Sequence, residues 1–340
     1  MQSVYTGRID TPLNQSLSTL MIYDCFSFFN ELDLLELRLN ILDSVVDKFV
    51  LAESNYTHSG EKKPLYFAKN RARFARFKHK IIHIVSPDPE SPERARSDIN
   101  YRWKCENKQR NATIQTIEKT LHDDDILIVS DLDEIPNPIA ITRAIKIGRP
   151  ARLRQKFYYF FLNYRCCTTP FWNTGTVVLS YKDFKNRDTY HNIDSGIALH
   201  PEENSTSTAT KVRALRKIKV LNQGGWHFSY IGNLEQIIFK TQSIVEGNNR
   251  IDKKHIEYCI KTGNDIYDQG EWYFAEQPEK ALPPQALSLT NFIFPVSKQY
   301  LRKVRVKRFL AHLKWLARPL AWKLIPKKIA VSISQKLKRI

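Results

Sequence analysis

The sequence predicts an α/β fold with a mostly parallel central sheet and helices on both faces. Short apolar segments alternate with segments of helical periodicity over the first ~145 residues, which is typical of βα units. Apolar residues make up 42% of the chain, with only 11 Gly and 16 Pro among 340 residues, so disordered and collagen-like proteins are excluded. The chain is therefore long and apolar enough to bury a large core.

The first half predicts four strands separated by helices. Apolar strand segments lie at residues 19–29, 47–54, 80–85 and 126–130. Helical segments lie at residues 32–42, 65–79 and 101–121. Asn30 is expected to cap the first helix, and Pro136 and Pro138 are expected to end the fourth strand and begin a short helix. In such a series, ligands bind beyond the carboxyl ends of the strands.

The second half reads differently, with longer strand-like segments and less regular alternation. Strands are expected within residues 152–164, 174–184 and 217–230, followed by a helix at 233–245. We expect this mixed half to complete the same sheet. The predicted domains are 18–290, which carries the fold, and a basic C-terminal helical tail at 291–340.

The charge of the chain is concentrated at its C-terminal end. Of 53 Lys and Arg, 13 lie within residues 301–340, which contain no Asp or Glu, leaving 40 basic and 35 acidic residues elsewhere. Basic residues alternate there with apolar ones such as Trp315 and Trp322, a pattern that favours a helix on an anionic membrane surface over a nucleic-acid-binding tail. A basic helix packed on the body is the third possibility.

Cysteine usage and the N-terminal residues predict a compartment. The five cysteines are odd in number and show no CxxC spacing, which indicates reduced thiols. The first 20 residues lack a basic segment followed by an apolar one, and no apolar run reaches the ~18 residues of a membrane span. We therefore expect a cytoplasmic, peripherally membrane-associated protein.

The strongest candidate site is the DLDE sequence that follows the fourth strand. Asp131 and Asp133 flank Leu132, so strand alternation would place both carboxylates on one side. Mn²⁺ or Mg²⁺ binds one or two such carboxylates and completes its shell with water and phosphate oxygens. The alternative is a solvated turn, because Asp and Pro also favour turns.

A second candidate is the sequence GGWHFS, where Trp226 offers a stacking face and His227 a nitrogen for a metal or phosphate. A glycine turn beside a core tryptophan would explain it equally well. Arg110, on the helix before the DLDE strand, is a candidate for phosphate or nucleobase binding, or a partner of Glu106 one turn away.

The remaining candidates rest on position alone. Glu53 ends the second strand and is a candidate ribose acceptor or a turn cap, and Lys240 is a candidate diphosphate ligand. His191 and Asp194 lie in a polar connection and are the candidates for the catalytic acid or base.

Several segments in consistent order resemble one known family. They include the run from Met21 to Ser54 and the sequences KPLYF, KIIHI, WKCENKQRN, ILIVSDLDEIP and GGWHFSY. Together these segments, spread over residues 20–275, resemble glycosyltransferase family 17.

The resemblance implies a GT-A-like nucleotide-sugar fold, a UDP-GlcNAc donor, a divalent metal, inversion at the anomeric carbon and a mannose-containing or other glycan acceptor. It also implies the metal role for Asp131 and Asp133. Two alternatives remain: a haloacid-dehalogenase-type phosphatase, which also places DxD after a buried strand, and a nucleic-acid-binding protein. Glu134 directly after Asp133 argues against the phosphatase. The near-neutral charge of the first 300 residues argues against the nucleic-acid-binding protein.

Overall fold

The computed structural model describes residues 20–190, 208–247 and 251–310. The strands are β1 Ile22–Ser27, β2 Lys48–Glu53, β3 Ile81–Val85, β4 Ile126–Asp131, β5 Glu134–Pro136, β6 Ala151–Leu153, β7 Gln155–Tyr159, β8 Tyr164–Cys166, β9 Phe171–Trp172, β10 Val177–Ser180, β11 Lys219–Leu221, β12 Gly225–Ser229 and β13 Tyr273–Ala275. The α-helices are α1 Leu32–Leu42, α2 Tyr66–Lys69, α3 Pro92–Ala95, α4 Ile99–Ile117, α5 Pro138–Ile147, α6 Tyr181–Lys185, α7 Thr208–Ala214, α8 Leu234–Ser243, α9 Lys253–Thr262 and α10 Pro278–Ala281, and residues 298–310 are also helical. Short 3₁₀ helices include Arg71–Phe77 and Glu118–Thr120.

The first sheet confirms the predicted α/β class. Its seven strands run in the order β11-β6-β10-β4-β1-β2-β3, and the four strands β4, β1, β2 and β3 are parallel. Strand alternation divides the apolar side chains between two faces. Phe26 and Ile128 pack with α1 on one face, whereas Cys25 and Val129 pack with α4 on the other. Helices therefore cover both faces of this sheet.

The expectation that the second half completes the same sheet holds for β6, β10 and β11 but was wrong for the other strands of that half. Strands β13-β8-β7-β12-β5 form a second sheet, with β9 paired to β7. The expected strand at 152–164 is divided at Arg154, so that β6 joins the first sheet and β7 the second. Period-two alternation identifies a strand but not its partner, so the sequence pattern did not reveal this division.

Glycines make the close contacts between these segments possible. A Cβ on Gly224 would lie 2.6 Å from the carbonyl carbon of Leu153, and one on Gly225 would lie 2.2 Å from the carbonyl oxygen of Ile135. Gly225 also has a φ of +127°, which L side chains rarely adopt. The two glycines therefore bring β12 against the backbone of β5 and of the β6–β7 connection.

Helix termini agree with the sequence in part. Asn137 caps α5 by accepting from the N–H of Ile139, Pro138 follows it, and Gly148 ends the helix in the left-handed conformation. The expected Asn30 cap was wrong, because the cap of α1 is Glu31 and no side chain in the described part of the chain accepts from its first N–H groups. The Glu31 carboxylate instead accepts from the N–H of Asn30.

The beginning of the predicted tail contacts the second sheet. The hydroxyl of Tyr300 accepts from the N–H of Ala275 at 3.0 Å, and Arg308 lies 3.6 Å from Glu276. Residues 311–340 lie outside the described residues, so the proposed domain boundary stays a prediction. Across the described ranges, no helix combines the length and apolar character needed to cross a bilayer.

Candidate active site

A cleft of about 170 Å³ lies at the carboxyl ends of β1 and β4. Residues from both halves of the chain form its walls. The turn after β4 lies between the two sheets, since it connects β4 of the first sheet to β5 of the second. The polar side chains on its walls are Ser27, Glu31, Tyr56, His58, Lys63, Glu106, Gln109, Asp131, Asp133, Lys240, Ser243 and Glu246. The DLDE carboxylates thus lie at the strand ends where a parallel sheet binds its ligands.

Asp131 and Asp133 both face this cleft, although not by the predicted route. Strand β4 ends at Asp131, and Leu132 and Asp133 form a turn before β5 begins. Leu132 is buried in the core, while the two carboxylates line the cleft. The shared orientation that alternation predicted therefore arises from a turn.

Asp131 is held by two arginines. Arg110 donates to both carboxylate oxygens at 3.1 and 3.0 Å, and Arg213 donates to Oδ2 at 2.7 Å. Burial alone would raise the pKa of Asp131, but the two guanidinium groups outweigh it and lower the pKa to about 2. Arg110 also pairs with Glu106 at 2.7 Å, as one of its two predicted roles requires, whereas its contact with Asp131 was not predicted.

Asp133 has a separate set of partners. Lys240 donates to Oδ2 at 3.0 Å and also contacts Glu31 at 2.9 Å, while His227 Nε2 lies 3.6 Å from Oδ1. Burial alone would raise the pKa of Asp133, but Lys240 and His227 hold it well below the usual range. Both aspartates are therefore ionised at neutral pH.

Glu134 is a buried carboxylate that the sequence reasoning did not select. It accepts from the Trp172 indole at 2.7 Å, from Arg213 at 2.6 Å and from the N–H of Asp131 at 3.0 Å. Burial raises its pKa, and Arg213 offsets part of that rise. Arg213 thereby joins Asp131 and Glu134, and its position in α7 after a polar segment offered no sequence signal.

Arg38 is a third residue, after Glu134 and Arg213, that the sequence reasoning missed. It is fully buried, pairs with the buried Asp24 at 2.6 Å, and donates to the carbonyls of Asp131, Leu132 and Glu134 at 2.9, 3.1 and 3.0 Å. One guanidinium therefore fixes the backbone of the DLDE turn. A signal was present, since Arg38 interrupts the apolar run of α1 and Asp24 that of β1.

The GGWHFS residues lie behind the cleft. His227 stacks on Phe157 with ring centroids 5.0 Å apart and packs against Trp172 at 4.4 Å. Its Nδ1 is buried and has no hydrogen-bond partner among the described residues. Trp226 donates to the carbonyl of Ala281 at 3.0 Å. The structure brings His227 to Asp133 but does not bring Trp226 to the cleft wall.

Glu53 is also removed from the cleft wall. It is fully buried, accepts from the N–H of Phe67 at 2.8 Å, and lies 3.0 Å from His83 Nε2. These contacts hold the beginning of α2. His191 and Asp194 lie outside the described residues.

The two aspartates suit a divalent cation of the Mg²⁺ or Mn²⁺ type. Both offer ionised oxygen ligands to one cleft, and such ions need only one or two protein carboxylates when phosphate and water supply the rest. Within the described ranges, no group of three or more His, Cys, Asp or Glu side chains is arranged to hold a metal without such help. Asp131 and Asp133 are therefore the residues that would hold such a cation together with phosphate oxygens of a substrate.

Comparison with known proteins gives a consistent result. The model of glycosyltransferase family 17 matches residues 13–197. The rat and mouse proteins named beta-1,4-mannosyl-glycoprotein 4-beta-N-acetylglucosaminyltransferase are each 26% identical over 288 residues, which cover 76% of this chain and 49% of each relative. The human protein of the same name is 34% identical over 112 residues, or 32% of this chain and 20% of the relative. The chain thus spans about half the length of the rat and mouse relatives, and these matches favour neither the phosphatase nor the nucleic-acid alternative.

Proposed function

Because the chain belongs to glycosyltransferase family 17, we propose that it is a metal-dependent, inverting glycosyltransferase with a GT-A-like fold. We propose UDP-GlcNAc as the donor and a mannose-containing or other glycan as the acceptor. The names of the rat and mouse relatives, which are N-acetylglucosaminyltransferases of mannosyl glycoproteins, support the sugar and the acceptor class. The observation that carries the proposal is the pair of ionised carboxylates, Asp131 and Asp133, at the strand-end cleft.

In this proposal, Asp131 and Asp133 hold Mn²⁺ or Mg²⁺. A bound cation would stabilise the negative charge that develops on the departing UDP. The protein's own contribution is to keep both carboxylates ionised and oriented. Arg110 and Arg213 do this for Asp131, and Lys240 does it for Asp133. Preorganised charges of this kind need no rearrangement during the reaction.

An inverting transfer also needs a group that accepts the proton of the acceptor hydroxyl. His191 and Asp194 stay the predicted candidates. Within the described residues, the carboxylates of Glu31, Glu106 and Glu246 also line the cleft. Glu106 Oε2 is buried and has no hydrogen-bond partner among the described residues, so it retains acceptor capacity.

The experiment that tests this function is calorimetric titration of UDP and UDP-GlcNAc into the wild type and Asp133→Ala, with Mn²⁺ and with EDTA. Asp124→Ala is a matched control, because Asp124 is an exposed aspartate before the opposite end of β4. We expect binding that requires both the metal and Asp133 and that Asp124→Ala leaves unchanged. Absence of binding to the wild type under every condition would refute the proposal.

We also propose that residues 301–340 bind an anionic membrane surface. Val306, Phe309 and Leu310 are 66%, 61% and 48% exposed, and their spacing places them on one side of a helix. Exposed basic residues, including Arg302 and Lys303, flank them. The full chain should sediment with vesicles of phosphatidylserine and phosphatidylcholine, whereas a chain that ends at residue 300 should stay in the supernatant. Equal sedimentation of the two chains would contradict this role.

A further inference from the structure

The loop between β2 and α2 carries a buried lysine whose positive charge has no close counter-charge. Lys63 is only 6% exposed, and no carboxylate of the described residues lies within 4.0 Å of its ammonium group. Its Nζ donates to the carbonyl of Phe29 at 3.2 Å and reaches the carbonyl of Pro64 at 3.5 Å. An ammonium has three N–H donors, so these two acceptors do not satisfy it.

Burial of the Lys63 ammonium changes its pKa. Burial lowers the pKa of Lys63 to about 8, although Glu53 and Glu31 act in the opposite direction from a greater distance. The rings of Phe29 and Tyr66, each 5.4 Å from Nζ, offset part of the lost hydration. A buried charge of this kind is destabilising unless an anion joins it.

The backbone around Lys63 is held firmly in place. The N–H of Lys63 donates to the carbonyl of Asn55 at 2.7 Å, and the N–H of Thr57 donates to the carbonyl of Glu61 at 2.8 Å. Gly60 lies so close to Pro92 that a Cβ would be 2.1 Å from its carbonyl oxygen. The loop therefore presents Lys63 to the cleft from a fixed position.

The other charged side chains of the cleft leave Lys63 as the lysine without a paired carboxylate among the described residues. Lys63 and Lys240 are the lysines on its described walls, together with five carboxylates. Lys240 is already paired with Asp133 and Glu31, whereas no carboxylate of the described residues pairs with Lys63. An anionic ligand entering the cleft would meet Lys63 as a cation that is free to bind it.

We propose that Lys63 binds the diphosphate of the nucleoside diphosphate part of the donor. This inference rests on the proposed function, because it assigns a phosphate-binding residue to the same cleft. The ammonium would supply a charge-assisted hydrogen bond to a phosphate oxygen, and the phosphate would supply the missing counter-charge.

The experiment compares UDP with uridine, which lacks the phosphates, in the wild type, Lys63→Met, Lys63→Gln and Lys62→Met. Lys62 is the exposed neighbouring lysine and serves as the matched control. The affinity for UDP is measured by calorimetry in the presence of Mn²⁺. The affinity for uridine is measured by its competition with UDP. We expect Lys63→Met and Lys63→Gln to weaken UDP about 10- to 100-fold, as loss of a hydrogen bond to a charged group does. Uridine affinity and the Lys62→Met variant should stay within about twofold of the wild type.

Unchanged UDP affinity in both Lys63 variants would overturn the inference and leave the proposed function intact. Equal losses for UDP and uridine would also overturn it, because they would indicate a distorted cleft rather than a missing phosphate contact. Failure of the wild type to bind UDP would refute the proposed function and the inference together. If Lys63→Met does not fold, the same criteria apply to Lys63→Gln, which can still donate to the Phe29 carbonyl.

Discussion

Replacement of Arg38 by methionine tests how the DLDE turn is held. The guanidinium and the Asp24 carboxylate are both 0% exposed, and they are joined by contacts of 2.6 and 2.8 Å. Removing one partner of such a pair leaves a buried charge without compensation, which costs about 3–5 kcal/mol. The three carbonyls of the turn lose their shared donor as well, so we expect Arg38→Met to lie near the upper end of that range.

The double variant Arg38→Met/Asp24→Val separates these contributions. It removes both charges, and paired replacement by apolar side chains is often neutral. The turn carbonyls still lack a donor, so we expect a loss of about 1–3 kcal/mol relative to the wild type. The double variant should therefore be more stable than Arg38→Met alone.

Urea unfolding followed by tryptophan fluorescence measures these free energies of unfolding. Asn163→Ala is a suitable control, because Asn163 is a fully buried residue that holds the backbone of Glu276 and Phe294, away from the cleft. A loss below about 1 kcal/mol for Arg38→Met would refute the reasoning. The reasoning would also be refuted if Arg38→Met/Asp24→Val were no more stable than Arg38→Met. UDP binding at equal folded fraction should fall in Arg38→Met but not in Asn163→Ala.

Three further predictions concern stability and reactivity. Because the folded pKa of Lys63 is about 8 against 10.5 when exposed, the unfolded chain binds more protons between these values, and stability should rise with pH there. Lys63→Met should remove that rise and stabilise the unliganded protein at pH 7 by up to about 3 kcal/mol in denaturation experiments. Gly60→Ala should destabilise by about 1–3 kcal/mol in thermal unfolding, since φ is +90° and the new Cβ would meet Pro92; an unchanged midpoint would contradict this. Burial raises the pKa of Cys166 to about 12, so at pH 8 iodoacetamide should label it only after unfolding, as mass spectrometry would detect.

The parallel half of the fold could be predicted because its signals are local. Each strand is a short apolar run and each helix has its own periodicity, so β1 to β4 were found within a few residues of their observed limits. Pro138 and Gly148 likewise mark both ends of α5 through backbone preferences that any context preserves. The two-sheet arrangement was missed because partner choice depends on which side chains meet in space.

The candidate site divides in the same way. Asp131 and Asp133 stand out in the sequence because two carboxylates follow a buried strand, and Lys240 and Arg110 were selected by type and position. Their partners were not predictable: Arg213 lies 82 residues from Asp131, and Arg38 lies 93 residues from it. Glu53, which resembled a ligand-binding strand-end carboxylate, is instead committed to α2 and His83.

The sequence by itself determined the α/β class, the strand that presents the DLDE residues and the family to which the chain belongs. Only the tertiary structure decided which charged side chains have an oppositely charged partner within the described residues and which do not. Pairing energies fall off over a few ångströms, so they depend on distances between residues that are remote along the chain. Lys240 and Lys63 are both lysines on one cleft. Among the described residues, folding pairs Lys240 with two carboxylates but buries Lys63 without a carboxylate partner.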